Sequence, residues 1–361
     1  NFGAIVENLN YFRSKLNADT KIMAMVKAFS YGSGGFEIAN LLEFHNIDYL
    51  GVAYADEGVE LRKAGIKTPI MVMSPEEHSF DTMIKYNLEP EIFSFRALKL
   101  LEKTIKDNLL PSNKPVKIHI KLETGMNRLG FREEEISELI EKLNANPFLY
   151  VQSVFSHMAA SDNSEFDDFS RQQIEKFNSM AESIIGNSPH KVLKHILNTA
   201  GISRFPQAHF DMVRLGIGLY GVAGATQDKG KISNATRLKS IISKINHVKK
   251  GESISYNRSF IAEKDMKIGV VSIGYADGLA RNLSNKGGEL WIKDKPATII
   301  GDICMDMCMV DLENINAAEG DDVIVFDAKH TVDELAKKAE TIPYELLSRI
   351  SRRVKRVYFH E

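Results

Sequence analysis

Short apolar, β-branched runs alternate with amphipathic segments through roughly the first 230 residues, and this alternation leaves the chain very few folds. The runs are IMAMVKA (22–28), YLGVAY (49–54), IMVMS (70–74), EPEIF (89–93), VKIHIKLE (116–123), VQSVFSHMA (151–159), LKHILN (193–198) and MVRLGIGLYG (212–221). Between them, FEIANLLEFH (36–45) spaces its apolar residues three and four apart, and ADEGVELRKAG (55–65) ends on a glycine, as a helix stop does. EEEISELIEKLNAN (133–146) and SEFDDFSRQQIEKFNSMAESIIG (164–186) carry the same helical period. Strands alternating with helices make parallel βαβ units. Eight such units close into a (β/α)8 barrel of the TIM type, an α/β fold, with an open sheet as the second choice.

The texture changes after residue 232. ATRLKSIISKINHVKKGESISYNRSF, KIGVVSIGYADG, ELWIKDKPATIIGDICMDMCMVDL and DDVIVFD read as short strands separated by Gly, Asn and Asp turns. That is an antiparallel pattern, a small barrel or a sandwich. The division expected is 1–232 for the barrel and 233–361 for a C-terminal β domain whose last stretch, VDELAKKAETIPYELLSRI, returns to helix.

Charge excludes some partners. Against 48 acidic residues stand 46 basic ones, a net charge of -2, which gives no electrostatic case for nucleic acid or an anionic membrane. No run approaches the roughly 18 apolar residues of a membrane span. The two cysteines, Cys304 and Cys308 in CMDMC, lack a second Cys/His pair at metal-finger spacing. They read as reduced thiols of a cytoplasmic protein, and no metal is expected.

In a barrel, reactive groups sit at the C-terminal ends of strands. Lys27, Arg128, His157, Asn198, Thr199 and Arg214 all fall there and are expected at one mouth. Lys27 follows IMAMV directly. A lysine shielded from water has its charged form disfavoured, and the neutral amine is a nucleophile toward aldehydes and ketones. Pyridoxal phosphate is one candidate carbonyl and a sugar aldolase substrate is another. Tyr31 and the run Gly32–Gly35 favour a phosphorylated ligand, as do NTAG (198–201) and RLGIGLYG (214–221), because the loops after strands seven and eight commonly bind phosphate. Thr199 offers a hydroxyl there, and Gly216 to Gly218 offer backbone N–H groups. Taken singly, His157 reads equally as a core histidine, Arg128 as a surface cap, Tyr256 as a strand tyrosine and Tyr344 as helix packing.

Together the motifs resemble one family. VKAFSYGSG (26–34) resembles the VKANAYGHG lysine motif of alanine racemases, and LETGMNRLGF (122–131) resembles their DTGMxRLG. SHMAASD, HILNTAG, VRLGIGLYG, SYNRSF, IGYADG, CMD and PYELL follow in the family's order over essentially the whole chain. The resemblance implies that Lys27 carries pyridoxal phosphate as an imine. Tyr31, Thr199, the backbone of Gly216 and Ile217, and Tyr344 hold its phosphate, beside Asn198. Arg214 meets the pyridine nitrogen, and Arg128 reaches the phenolic oxygen and the substrate carboxylate. Lys121 matches a lysine often carbamylated in the family, where it positions that arginine. Tyr256 is the second base, donated by the other subunit of a homodimer and eased by His157 and Arg214. Tyr275 and Met305 line the substrate entrance from that subunit. The implied reaction is alanine racemisation supplying D-alanine for peptidoglycan.

Departures from the family pattern are Thr199 for serine, Glu123 for aspartate, Phe29 and Ser33 in the lysine motif, and Asn257 to Phe260. They leave substrate breadth open, so a serine or broad-specificity racemase stays in view. Other readings are a fold type III decarboxylase, against which SYNRSF and CMD argue, and a pyridoxal phosphate carrier, which would lack the second domain. Asn1 to Lys15 resembles the first barrel helix. The start without methionine fits a chain fused behind an upstream domain, such as a cell-wall ligase.

Overall fold

The computed structural model describes residues 1–107, 115–284 and 286–360. Eight parallel strands form the first sheet: β1 (Lys21–Met25), β2 (Tyr49–Val52), β3 (Ile70–Val72), β4 (Glu89–Ile92), β5 (Val116–Lys121), β6 (Leu149–Phe155), β7 (Leu193–His195) and β8 (Met212–Leu215). Their order is β7-β6-β5-β4-β3-β2-β1-β8. The ring closes where Asp211 N–H donates to Lys194 O at 3.1 Å and Arg214 N–H donates to Leu197 O at 3.0 Å. All eight expected strands are present, and the closed barrel replaces the open-sheet alternative.

Each strand stops short of its apolar run. β1 ends at Met25, so Lys27 lies two residues beyond it and not within the strand. Val26 N–H still reaches Gly51 O, and then Ala28, Phe29, Ser30 and Tyr31 turn with φ of 52°, 55°, 51° and 50°. Apolar content marks burial, and residues packed into the mouth are buried without being paired in the sheet.

Side chains alternate in a strand, so one set points inward and the other outward to the helices. In β5, Ile118 and Ile120 are wholly buried toward the helices, while Lys117, His119 and Lys121 enter the barrel. Glu89 and Glu91 of β4, Ser153 of β6, His195 of β7 and Arg214 of β8 join them. On the side formed by β4 to β8 the interior is therefore polar, where such barrels usually stack Val, Ile and Leu.

The four expected helices appear as Gly35–Phe44, Ala55–Lys63, Ile136–Asn144 and Asp167–Ile185, the last two each led by a short 3-10 turn. The first helix, Phe2–Arg13, closes over the segment after β8. Its buried Asn8 donates to Leu219 O and Ser233 O and accepts from Ser233 N–H. Phe12 beneath it is fully buried.

The rest of the chain forms β9 (Leu238–Val248), β10 (Ser253–Ile254), β11 (Phe260–Ile261), β12 (Met266–Val271), β13 (Glu289–Ile292), β14 (Lys295–Ile300), β15 (Cys308–Asp311) and β16 (Asp322–Phe326). Six of these close into an antiparallel barrel, β12-β15-β14-β13-β16-β9, with β10-β11 as a separate ladder. The choice left open between barrel and sandwich is thus a barrel. Helices Val332–Lys338 and Pro343–Ser348 follow. Among the described residues, no helix is long and apolar enough to cross a membrane.

Replacing Phe12 by alanine is expected to cost about 3–5 kcal/mol of stability in urea denaturation, since the ring is buried between the first helix and the post-β8 turn. A loss under about 1 kcal/mol would show that this helix does not hold the barrel shut.

Candidate active site

The site is built around an unusual turn. Left-handed backbone costs a non-glycine residue about 1–2 kcal/mol, and here four occur in succession after Lys27. Such strain persists where surroundings over-determine it. Glu57 accepts from Ala28 N–H at 2.6 Å, and also from Ala53 N–H at 2.7 Å. Arg356, from the C-terminal tail, donates to Gly32 O through Nε at 3.1 Å and Nη2 at 2.8 Å. The Phe29 ring is covered by the guanidinium groups of Arg352 and Arg356, at 4.7 and 5.2 Å. Gly32 has φ of 76° and faces Leu347, whose carbonyl oxygen would lie 2.1 Å from an added Cβ. The second domain's last helix thus seats on the lysine turn.

Lys27 is half-buried, and its amine is held below the ordinary lysine range. Burial is the main cause, the Arg128 charge adds to it, and Glu57 opposes both. Arg214 is 2% exposed. Burial lowers its guanidinium to about 10, which leaves it a cation at neutrality. Its two Nη groups are held: Nη1 donates to His195 Nδ1 at 2.7 Å, and Nη2 to Ser156 O at 2.6 Å, Ile196 O at 2.8 Å and His157 Nδ1 at 3.2 Å. Burial, then the neighbouring Arg214 charge, keep His157 well below the usual imidazole range. A neutral His157 that accepts at Nδ1 carries its proton on Nε2.

Lys121 ends β5 in an apolar wall, its amine 4.4 Å from the Phe155 ring centre and 3.8 Å from Glu91 Oε1. Burial lowers the Lys121 amine against the pull of Glu91, and burial raises the Glu91 carboxyl against the pull of Lys121. Arg128 follows in an exposed turn that Glu123 caps, accepting from Gly125 and Arg128 N–H. The aspartate-to-glutamate departure therefore serves this turn.

A second group lies beyond β7 and β8. Thr199 Oγ1 accepts from Gly216 N–H at 2.9 Å, which leaves the hydroxyl proton to donate elsewhere. A Cβ added to Gly216 would sit 3.1 Å from Tyr31 Oη and 3.6 Å from Thr199 Oγ1, so these three converge on one spot. The Tyr344 ring lies 6.0 Å from that of Tyr31. Its phenol is pushed up to about 12 by burial and then by Asp162. Ile217 begins a buried 3-10 turn. Asn198 caps helix Thr199–Arg204, accepting from Gly201 N–H and from the Ser161 hydroxyl.

Three of the residues singled out from sequence lie elsewhere. Tyr256, Tyr275 and Met305 belong to the β domain and are 69%, 42% and 53% exposed. Tyr275 N–H donates to Cys304 O, and Ser255 Oγ donates to Asp302 O, so one surface carries all three. Ser255, Asn257 and Arg258 around Tyr256 have φ of 72°, 55° and 53°.

Sequence reasoning missed Glu57, Glu91, Arg356 and the interior residues Glu89, His119, Ser153 and His195. A signal was present for some of them: EPEI and VKIHIK place ionisable residues two apart inside strands that are otherwise apolar.

A (β/α)8 barrel with a half-buried lysine among cations at its mouth, joined to a small antiparallel barrel, is a two-domain barrel architecture with a clear set of relatives. Residues 1–224 match the family model described as alanine racemase, N-terminal domain, and residues 235–358 that described as alanine racemase, C-terminal domain. Alanine racemase 1 of Caldanaerobacter subterraneus subsp. tengcongensis is 35% identical over 368 residues, covering 99% of this chain and 93% of the relative. The alanine racemase structure from Clostridium difficile 630 superposes with a TM-score of 0.90 at 33% identity, covering 98% of this chain and 93% of that one. The Bartonella henselae alanine racemase structure with covalently bound pyridoxal phosphate has a TM-score of 0.88 at 25% identity, covering 99% and 98%. The chain belongs to the alanine racemase family and is an isomerase.

Substituting Gly32 by alanine should force the helix Pro343–Ser348 off the lysine turn. Hydrogen exchange in that helix is expected to accelerate by about tenfold or more while β1 keeps its protection. Unchanged exchange would mean that the contact with Leu347 does not constrain the turn.

Proposed function

We propose that this chain interconverts L- and D-alanine with pyridoxal phosphate as its resident cofactor, using Lys27 and Tyr256 as two bases in a homodimer. The observation that carries the reading is the placement of Lys27: its amine is disfavoured as a cation, and it lies beside a cradle whose donor chemistry suits a phosphate. The cradle fits the cofactor because the Thr199 hydroxyl, the Tyr31 phenol and the Gly216 backbone converge there, with Tyr344 alongside. Bound there, pyridoxal phosphate supplies an aldehyde for amines and an electron sink that makes an amino acid's α-proton removable.

The remaining work falls to the chain. Arg214 is a permanent donor, so the pyridine nitrogen it meets stays unprotonated. The weaker electron sink limits side reactions. Arg128 supplies a cation for the substrate carboxylate and lowers the Lys27 pKa, which favours an amine able to take a proton. On the other face, Tyr256 exchanges a proton. The relay from Arg214 to His157 Nδ1 leaves Nε2–H as a donor that stabilises a phenolate. The exposure of Tyr256, Tyr275 and Met305, and the strained backbone around Tyr256, support a surface that reaches a second subunit. We place the division between the domains at 232/233, and assign the D-alanine product to peptidoglycan synthesis.

Lys121 we assign as a carbamate. Burial disfavours its charged form, which favours the neutral amine that takes up carbon dioxide, and the amine has Glu91 Oε1 3.8 Å away. With ¹³C-bicarbonate, a carbamate resonance is expected in the wild type and not in Lys121→Arg; its absence from both removes the assignment.

Incubation with L-alanine in deuterated water tests the main reading, with loss of the α-proton and of optical rotation expected together. Carbon dioxide release, or no reaction with alanine, would replace it. Tyr256→Phe should keep cofactor that borohydride fixes to Lys27 yet lose roughly 10²–10⁴-fold in kcat. Unimpaired turnover in that variant would remove the two-base assignment.

A further inference from the structure

Below the site, an unbroken column of buried polar side chains climbs the barrel, each of five adjacent strands contributing one member. Glu89 Oε2 of β4 lies 2.9 Å from His119 Nε2 of β5, and His119 Nδ1 lies 2.7 Å from Ser153 Oγ of β6. Ser153 Oγ lies 2.9 Å from His195 Nε2 of β7, and His195 Nδ1 lies 2.7 Å from Arg214 Nη1 of β8. His119, Ser153 and His195 have no exposed surface. Burying five polar groups is costly unless each is satisfied, and apolar side chains would fill the same space more cheaply.

The two ends dictate every proton between them. Arg214 has only donors, so His195 Nδ1 must accept and the proton of a neutral His195 sits on Nε2. That Nε2–H donates to Ser153, whose hydroxyl is then free to donate to His119 Nδ1. His119 in turn carries its proton on Nε2 and donates it to Glu89, a carboxylate with only acceptors. Glu89 also accepts from the Tyr49 hydroxyl at 3.2 Å and lies 3.7 Å from the Lys117 amine, partners that suit a carboxylate. Both ends thus select the same tautomer at both histidines. The opposite tautomer of His195 would set N–H against N–H and push the guanidinium out of place.

We propose that Glu89, at the far end of the barrel from the mouth, is a positioning residue for Arg214, acting through His119, Ser153 and His195. This rests on the reading that Arg214 meets the cofactor's pyridine nitrogen. The column presents an acceptor to the guanidinium and locks its plane, so that its other donors stay aimed at Ser156 O, Ile196 O and His157.

The test uses the full chain loaded with pyridoxal phosphate. Histidine-selective ¹⁵N NMR should find His119 and His195 each protonated at Nε2 and bare at Nδ1. A proton on His195 Nδ1, or on both nitrogens of His119, overturns the proposal. In kinetics, Glu89→Gln and Ser153→Ala should each lower kcat by roughly three- to thirtyfold with KM for alanine within about twofold, and the double variant should be no worse than the more damaged single one. Wild-type kcat in Glu89→Gln, or losses that multiply in the double variant, overturns it equally. Should Ser153→Ala not fold, the NMR assignment and the near-isosteric Glu89→Gln decide alone. A wild-type chain that fails to racemise alanine sinks the parent reading. A wild type that racemises with the wrong tautomers sinks only this one.

Discussion

A guanidinium with almost no access to water sets terms for much of the barrel. Arg214 stays charged because β6, β7 and their following loops bring two carbonyls and two imidazole nitrogens within hydrogen-bond reach. Removing any of them would leave a buried cation short of a partner, which costs more than a neutral pair is worth. The same charge depresses His157 and His195, after burial itself, and contributes to lowering Lys27 and Lys121. Burial and this cation together disfavour the charged form of the neighbouring bases, and the guanidinium holds the imidazoles in defined tautomers. Proton transfer at an amino acid's α-carbon needs bases in that state near pH 7.

The lysine is held differently. Its turn borrows stability from every side: a carboxylate from the helix after β2, two arginines from the tail, and the carbonyl end of the last helix. The strained segment is thus a junction of the two domains. Local strain in the lysine turn is offset by packing between them, which ties the second domain to the lysine.

The strands were legible to within a few residues because burial on both faces leaves continuous apolar runs. Most of the mouth residues were legible because a barrel puts strand ends at one face, and Lys27, His157, Thr199 and Arg214 stood at those ends. The lysine turn was not: VKAFSY contains nothing that demands positive φ before Gly32, and the support comes from contacts far along the chain, Glu57, Arg352, Arg356 and Leu347 among them. Nor was the column below Arg214, whose five members are spread over residues 89 to 214. Alternation within EPEI and VKIHIK said that charges enter the barrel, without saying which would meet.

Local pattern alone determined the two-part architecture, the parallel order of the first part and the set of polar side chains available at its mouth, because periodicity and turn chemistry are properties of neighbouring residues. Pairings between separate elements belong to the tertiary structure: Arg214 with His195, Lys121 with Glu91, Gly32 with Leu347. Each brings together groups far apart in the chain, and its energy depends on how completely water is excluded, a quantity that exists only once the barrel has closed.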